Sequence, residues 1–171
     1  MGEKIQVAGL QDDSIVDGPG FRFVVFTQGC PHRCPGCHNP QTHPFEGGET
    51  ADTDEILERI RSNPLLKGVT FSGGEPFCQP GPLAHLARQV HAMGRDVACY
   101  TGYTLEQLLE KQERDPQIRA LLEQVDLLID GPFLQEQKDL TLLFRGSANQ
   151  RLIRLQPTLE TGRVVLWEPD W

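Results

Sequence analysis

Cys30, Cys34 and Cys37 form the most chemically loaded stretch of the chain, three thiols within eight residues. Gaps of three and then two residues let one loop wrap three thiolates around a single metal centre. Thiolate is a soft ligand, which suits zinc or an iron–sulfur cluster. Structural zinc closes its site with four ligands, and His32 or His38 can supply the fourth. A four-iron cluster held by only three cysteines instead leaves one iron open to an exogenous ligand. Cys78 and Cys99 stand alone in the sequence and read as small packing residues near strand ends. They are too few for a second fully cysteine-ligated cluster.

A second group of residues can hold a ligand through the backbone. Ser72-Gly73-Gly74-Glu75-Pro76 follows a short apolar run at 69–71. Two glycines there let a ligand approach exposed N–H and C=O groups, which suit a charged amino-acid moiety. Thr101-Gly102 and Asp130-Gly131 end two further apolar runs, and Asp17-Gly18-Pro19-Gly20 forms a turn ahead of a β-rich run at 21–27.

The elements that position these segments follow from periodicity. Strands are expected at 21–27, 69–71, 97–100 and from Leu127 onwards, with two more at 152–155 and 164–167. Helical spacing covers 53–62 and the run Leu83, Leu86, Ala87, Val90, Met93, with Gly94 placed to stop it. Thr104 with Gln107 reads as a capping box, and Pro116 opens a further helix at its first turn. Residues 28–48 have neither period and form a long loop, the kind that carries function in a compact domain.

Strands alternating with helices imply parallel pairing through right-handed crossovers. A chain of 171 residues is too short to close an eightfold barrel, which takes about 250. The expected fold is α/β: a partial, open βα barrel with a mostly parallel sheet and a C-terminal strand pair within 151–168. One domain spans 1–171, with the cysteine loop at 28–48. Ligands of such folds sit beyond the carboxyl ends of the strands, where the cysteine loop, Gly73-Gly74, Thr101-Gly102 and Asp130-Gly131 all fall.

Composition narrows the function. A net charge of −8 argues against binding a nucleic-acid backbone, which relies on clustered Lys and Arg. No stretch approaches the roughly 18 apolar residues of a membrane span, and the first ten residues do not read as a secretory signal. A cytoplasmic protein is expected. Five cysteines, an odd count with three clustered, fit metal binding better than a disulfide framework.

The cysteine loop together with Gly73-Gly74-Glu75-Pro76 resembles the radical S-adenosylmethionine superfamily. Asp17-Gly18-Pro19-Gly20 with Arg22 is similar to the glycyl-radical-enzyme activases within it. Cys34-Pro35-Gly36-Cys37-His38-Asn39, Thr101-Gly102-Tyr103, Asp130-Gly131-Pro132-Phe133 and Phe144-Arg145-Gly146-Ser147-Ala148-Asn149-Gln150 narrow the resemblance further. It is to the activating proteins of anaerobic, class III ribonucleoside-triphosphate reductases, and it spans nearly the whole chain.

That resemblance implies one [4Fe–4S] cluster on Cys30, Cys34 and Cys37, with S-adenosylmethionine on the fourth iron. Gly73 and Gly74 would hold the methionyl amino end, Glu75 beside them would belong to the cofactor-binding residues, and Thr101 and Gly102 would line the same pocket. The position before the third cysteine is often aromatic in the superfamily. Here it is Gly36, so a backbone contact at Gly36 and a side-chain contact from His38 take the place of adenine stacking. Asp17, Gly18, Pro19, Gly20 and Arg22 would face the side where the reductase presents its glycine. The residues from Arg145 to Gln150 would serve that interface or brace the open side of the barrel. A flavodoxin- or ferredoxin-like reductant completes the expected partners. Two other functions fit parts of the pattern: activation of another glycyl radical enzyme of the pyruvate formate-lyase type, and a non-enzymatic iron–sulfur or zinc module.

Overall fold

The computed structural model describes residues 2–32, 44, 47–139 and 141–168. A seven-stranded sheet organises them in the order β3-β1-β2-β4-β5-β6-β7. Its centre is the parallel set β2 (Arg22–Thr27), β4 (Gly68–Gly73), β5 (Asp96–Tyr100) and β6 (Leu127–Asp130). These strands are buried along nearly their whole length, as expected of parallel strands covered on both faces. Antiparallel strands flank them. β1 (Lys4–Ser14) pairs with β2 and β3 (Glu49–Asp52), and β7 (Arg151–Arg154) pairs with β6. The sheet is open, a mixed α/β architecture with no barrel closure among the described residues.

Five helices, α1 (Thr53–Arg61), α2 (Pro80–Ala92), α3 (Leu105–Lys111), α4 (Pro116–Leu122) and α5 (Leu155–Thr161), give their apolar sides to one core. The strands supply Phe23, Val25, Val69, Phe71, Val97, Cys99 and Leu128 to that core. Because side chains alternate across a strand, the neighbouring residues face the other way. Ala98, Leu127, Ile129 and Leu152 form a smaller cluster there, with Tyr100, Phe144 and Trp167 against it.

Local chemistry explains the boundaries. Gly94 adopts φ +77° just after α2, the left-handed stop that glycine tolerates. Thr104 and Gln107 form the expected capping box of α3. Asp115 caps α4 ahead of Pro116.

The expected C-terminal strand pair is corrected. Only Arg151–Arg154 is a strand, and the next seven residues form α5, closed by Gly162 at φ +73°. Pro157 fits an early helical position, and Thr158 Oγ1 donates to the Arg154 carbonyl at 2.8 Å. Residues 164–167 return beside β7 through one bridge, Ile153 to Leu166, and two backbone hydrogen bonds. β1 and β3 were not expected as strands. Among the described residues, no helix is long and apolar enough to cross a membrane.

Candidate functional site

The carboxyl ends of β2, β4, β5 and β6 open on a cavity of about 730 Å³. Cys30, His32, Gly73, Gly74, Thr101 and Gly102 line it, with Asp17 and Arg145 also on its wall. Residues predicted from five separate segments are thus brought together. Cys34, Gly36, Cys37 and His38 lie outside the described residues.

The start of the cysteine loop is stitched to the Gly73-Gly74-Glu75 segment by backbone pairing that outlasts the strands. Gly74 N–H donates to the Thr27 carbonyl at 2.8 Å, and Glu75 N–H donates to the Gly29 carbonyl at 2.7 Å. The two glycines make this approach possible. Gly73 has φ +90°, and a Cβ on it would lie 2.5 Å from the Thr27 nitrogen; a Cβ on Gly74 would overlap the Gly29 carbonyl. Cys30 is buried at 7% exposure as a result.

Glu75 is fully buried, and its carboxylate is saturated with partners. Oε1 accepts from Gly102 N–H at 2.7 Å and lies 2.6 Å from His32 Nε2. Oε2 accepts from Phe77 N–H at 3.0 Å, and the Thr101 hydroxyl reaches Oε2 at 2.8 Å and Oε1 at 3.0 Å. A buried carboxylate is tolerated only with such a full set. His32 occupies the space that a side chain on Gly102 would fill. Its ring meets Tyr103 edge-on, with centroids 4.5 Å apart and planes at 75°. Burial pushes the Tyr103 hydroxyl up to about 12, so it stays protonated near neutral pH.

The remaining cysteines differ from each other. Cys99 is fully buried within the core, as expected of a packing residue, and burial pushes its thiol well up. Cys78 is exposed, which corrects the packing role expected for it. Partial burial and then the Glu75 charge push its thiol up to about 11, away from the thiolate form that binds metal.

The Asp17 segment splits in two. Asp17 borders the cavity, accepting from the Ser14 hydroxyl at 2.6 Å through Oδ2. Gly18 and Gly20 make the turn with φ of +128° and +76°, and Pro19 lines a smaller, separate cavity of about 200 Å³. Arg22 sits beneath the turn at 1% exposure. Its guanidinium donates to Thr70 Oγ1 at 2.6 Å and to the Pro19 and Val69 carbonyls at 3.0 and 2.8 Å, and it pairs with Asp96 at 2.6 Å. That places Arg22 inside the molecule, where it holds the turn.

Two other motifs recognise each other. Gln150 Nε2 donates to the Gly131 carbonyl at 3.0 Å, and Asn149 Nδ2 donates to the Pro132 carbonyl at 2.8 Å. Leu134 N–H donates to Ser147 Oγ at 3.2 Å. The 145–150 run therefore braces the 131–134 turn on the cavity wall. Asp130 is buried, accepting from Leu105 N–H at 2.8 Å and from Arg151 at 3.0 and 2.5 Å. Its carboxylate is an internal tie between β6, α3 and β7.

Sequence reasoning gave His32 only as a possible zinc ligand and did not assign Tyr100, whose hydroxyl donates to the Phe144 carbonyl at 2.7 Å. The position of His32 between Cys30 and Cys34 was its available signal. Nothing local marks Tyr100.

A family profile described as "4Fe-4S single cluster domain" matches residues 16–153. The chain is 36% identical over 151 residues to the anaerobic ribonucleoside-triphosphate reductase-activating protein of Haemophilus influenzae, covering 83% of this chain and 93% of that one. The protein of the same name from Escherichia coli K12 is 33% identical over 144 residues, covering 80% and 90%. The one from enterobacteria phage T4 is 33% identical over 143 residues, covering 80% and 86%. The chain belongs to this family, the activating proteins of anaerobic ribonucleoside-triphosphate reductase, with a 4Fe-4S single cluster domain.

Proposed function

We propose that this protein is a radical S-adenosylmethionine activase that creates the glycyl radical of an anaerobic ribonucleoside-triphosphate reductase. The observation that carries this is the convergence of Cys30, Gly73, Gly74, Thr101 and Gly102 on one cavity at the strand ends. It suits a cofactor beside a small polar ligand. The fold is then a partial βα barrel of the radical S-adenosylmethionine type, working in the cytoplasm.

Thiolate donors fit a four-iron cluster, and buried Cys30 at the cavity edge supplies one. Cys34 and Cys37 would complete the set. Such a cluster, held by Cys30, Cys34 and Cys37 and given one electron by a flavodoxin- or ferredoxin-like reductant, would supply reductive cleavage of S-adenosylmethionine, the chemistry needed to remove a Cα hydrogen from the reductase's glycine. The chain itself contributes position and shelter. The backbone at Gly73 and Gly74 would receive the methionyl amino end, with Thr101 and Gly102 alongside. Asp17 borders the cavity and would meet the incoming glycine segment. A glycine suits that role because a backbone without Cβ can come close to the 5′ carbon.

The test mixes the anaerobically reconstituted, reduced protein with S-adenosylmethionine and the reductase. A glycyl doublet in the EPR spectrum, with stoichiometric 5′-deoxyadenosine, is expected. A doublet on a formate-lyase but not on the reductase would reassign the partner. A cluster signal indifferent to S-adenosylmethionine, or zinc in place of iron, would overturn the proposal.

A further inference from the structure

We infer that Glu75 is a positioning residue for Cys30, gripping the chain on both sides of that cysteine rather than touching a ligand. The inference rests on the proposed cluster and deepens it. One residue before Cys30, the Gly29 carbonyl accepts from Glu75 N–H at 2.7 Å. Two residues after it, His32 Nε2 lies 2.6 Å from Glu75 Oε1. Backbone and side chain of a single residue thus bracket the cysteine.

The bracket is itself anchored. Thr101, Gly102 and Phe77 hold the same carboxylate from β5's end and from the turn after β4. His32 is walled by Gly102 and by the ring of Tyr103. The Gly102 and Phe77 N–H groups require an acceptor at position 75, and a carboxylate has no donor of its own. Glutamine would keep the shape but turn an N–H₂ group toward donors. With its carboxylate fully buried and engaged by five contacts, Glu75 does not line the cavity, which its neighbours His32, Gly74, Thr101 and Gly102 do. Partners that orient a metal's ligands are worth about 10- to 100-fold in metal affinity or activity.

The experiment uses the anaerobically reconstituted protein and follows iron release to a chelator, together with the EPR line shape of the reduced cluster. Glu75→Gln and His32→Phe should each speed release about tenfold or more. The double variant should be no worse than the poorer single, since both cut one connection. Ile60→Val, which trims the core on α1, should lower the melting temperature while leaving release and line shape unchanged. Release within twofold of wild type in both single variants, or effects that multiply in the double variant, would overturn the bracket alone. If Glu75→Gln does not fold, His32→Phe and Thr101→Val carry the same comparison. Wild-type protein that takes up zinc and no iron would overturn the proposed function, and the bracket with it.

Discussion

Arg22→Met should destabilise the fold without weakening association with the reductase. The guanidinium makes three hydrogen bonds and one ion pair at 1% exposure. Hydrogen bonds from charged donors contribute roughly 1.5–3 kcal/mol each, but the three do not add in full. Thr70 Oγ1 keeps its own bond to the Asp17 carbonyl, and the Asp96 side chain, 34% exposed, can turn to water. A net loss of about 3 kcal/mol remains. A chain of this length loses about 2–4 °C of melting temperature per kcal/mol, so the expected drop is roughly 6–12 °C. Arg22→Lys keeps a charge opposite Asp96 but lacks the planar fork, and it should recover only part. Thermal melts of the reconstituted variants, paired with calorimetric titration into the reductase well below the transition, provide the assay. An unchanged melting temperature with weakened association would refute the reasoning and return Arg22 to the partner's side.

Cys34→Ala should abolish cluster-dependent cleavage of S-adenosylmethionine while Cys78→Ala leaves most of it, measured as 5′-deoxyadenosine formed; equal losses would mean the ligand set is misassigned. Gln150→Leu should free the Gly131 carbonyl and cost about 1–3 kcal/mol, and calorimetry should show weaker S-adenosylmethionine binding because the cavity wall loosens. Gly102→Ala should accelerate iron release by pushing His32 off Glu75, and the Gly102→Ala/His32→Ala double variant should release iron no faster than His32→Ala alone, because the three atoms nearest the new methyl all belong to the imidazole. Arg59 holds the Asp12 carboxyl below its usual range through a hydrogen bond. The pair's contribution, under about 1 kcal/mol at this exposed site, is therefore full above pH 4 and lost as pH falls through the depressed value. Melts of Arg59→Met should converge with wild type once the pH has fallen below that depressed value.

Periodicity located the parallel centre of the sheet because buried strands and amphipathic helices repeat at different intervals. It missed β1 for a physical reason. Ile5 and Val7 alternate inward, but Ala8-Gly9-Leu10 breaks the alternation and Gln11, Asp12 and Asp13 are exposed, with register shifts against β2 between Val7 and Gly9 and between Gln11 and Ser14. An edge-side strand of that kind has little burial to write into its sequence. β3, four residues with one buried side chain, leaves less still. At the other end Leu152, Ile153 and Leu155 look like one strand, yet Leu155 already belongs to α5. A short apolar run does not distinguish a strand from the first turn of a helix.

The cavity was legible at the level of segments and not of contacts. Glycines at strand ends suggested room for a ligand, but at positions 74 and 102 the space is taken by the protein: the Gly29 carbonyl in one case, the His32 ring in the other. Both neighbours belong to the chain around Cys30. Glu75 completes the set, since its backbone follows Gly74 and its carboxylate meets Gly102. Residues separated by more than forty positions therefore share one constraint, the close approach of the cysteine loop to the ends of β4 and β5. A ligand-binding role for the backbone at Gly73 and Gly74 is compatible with that constraint, because each peptide has two faces. The constraint also explains why the glycines precede a buried acid: the first two let the loop come near, and the third holds it there.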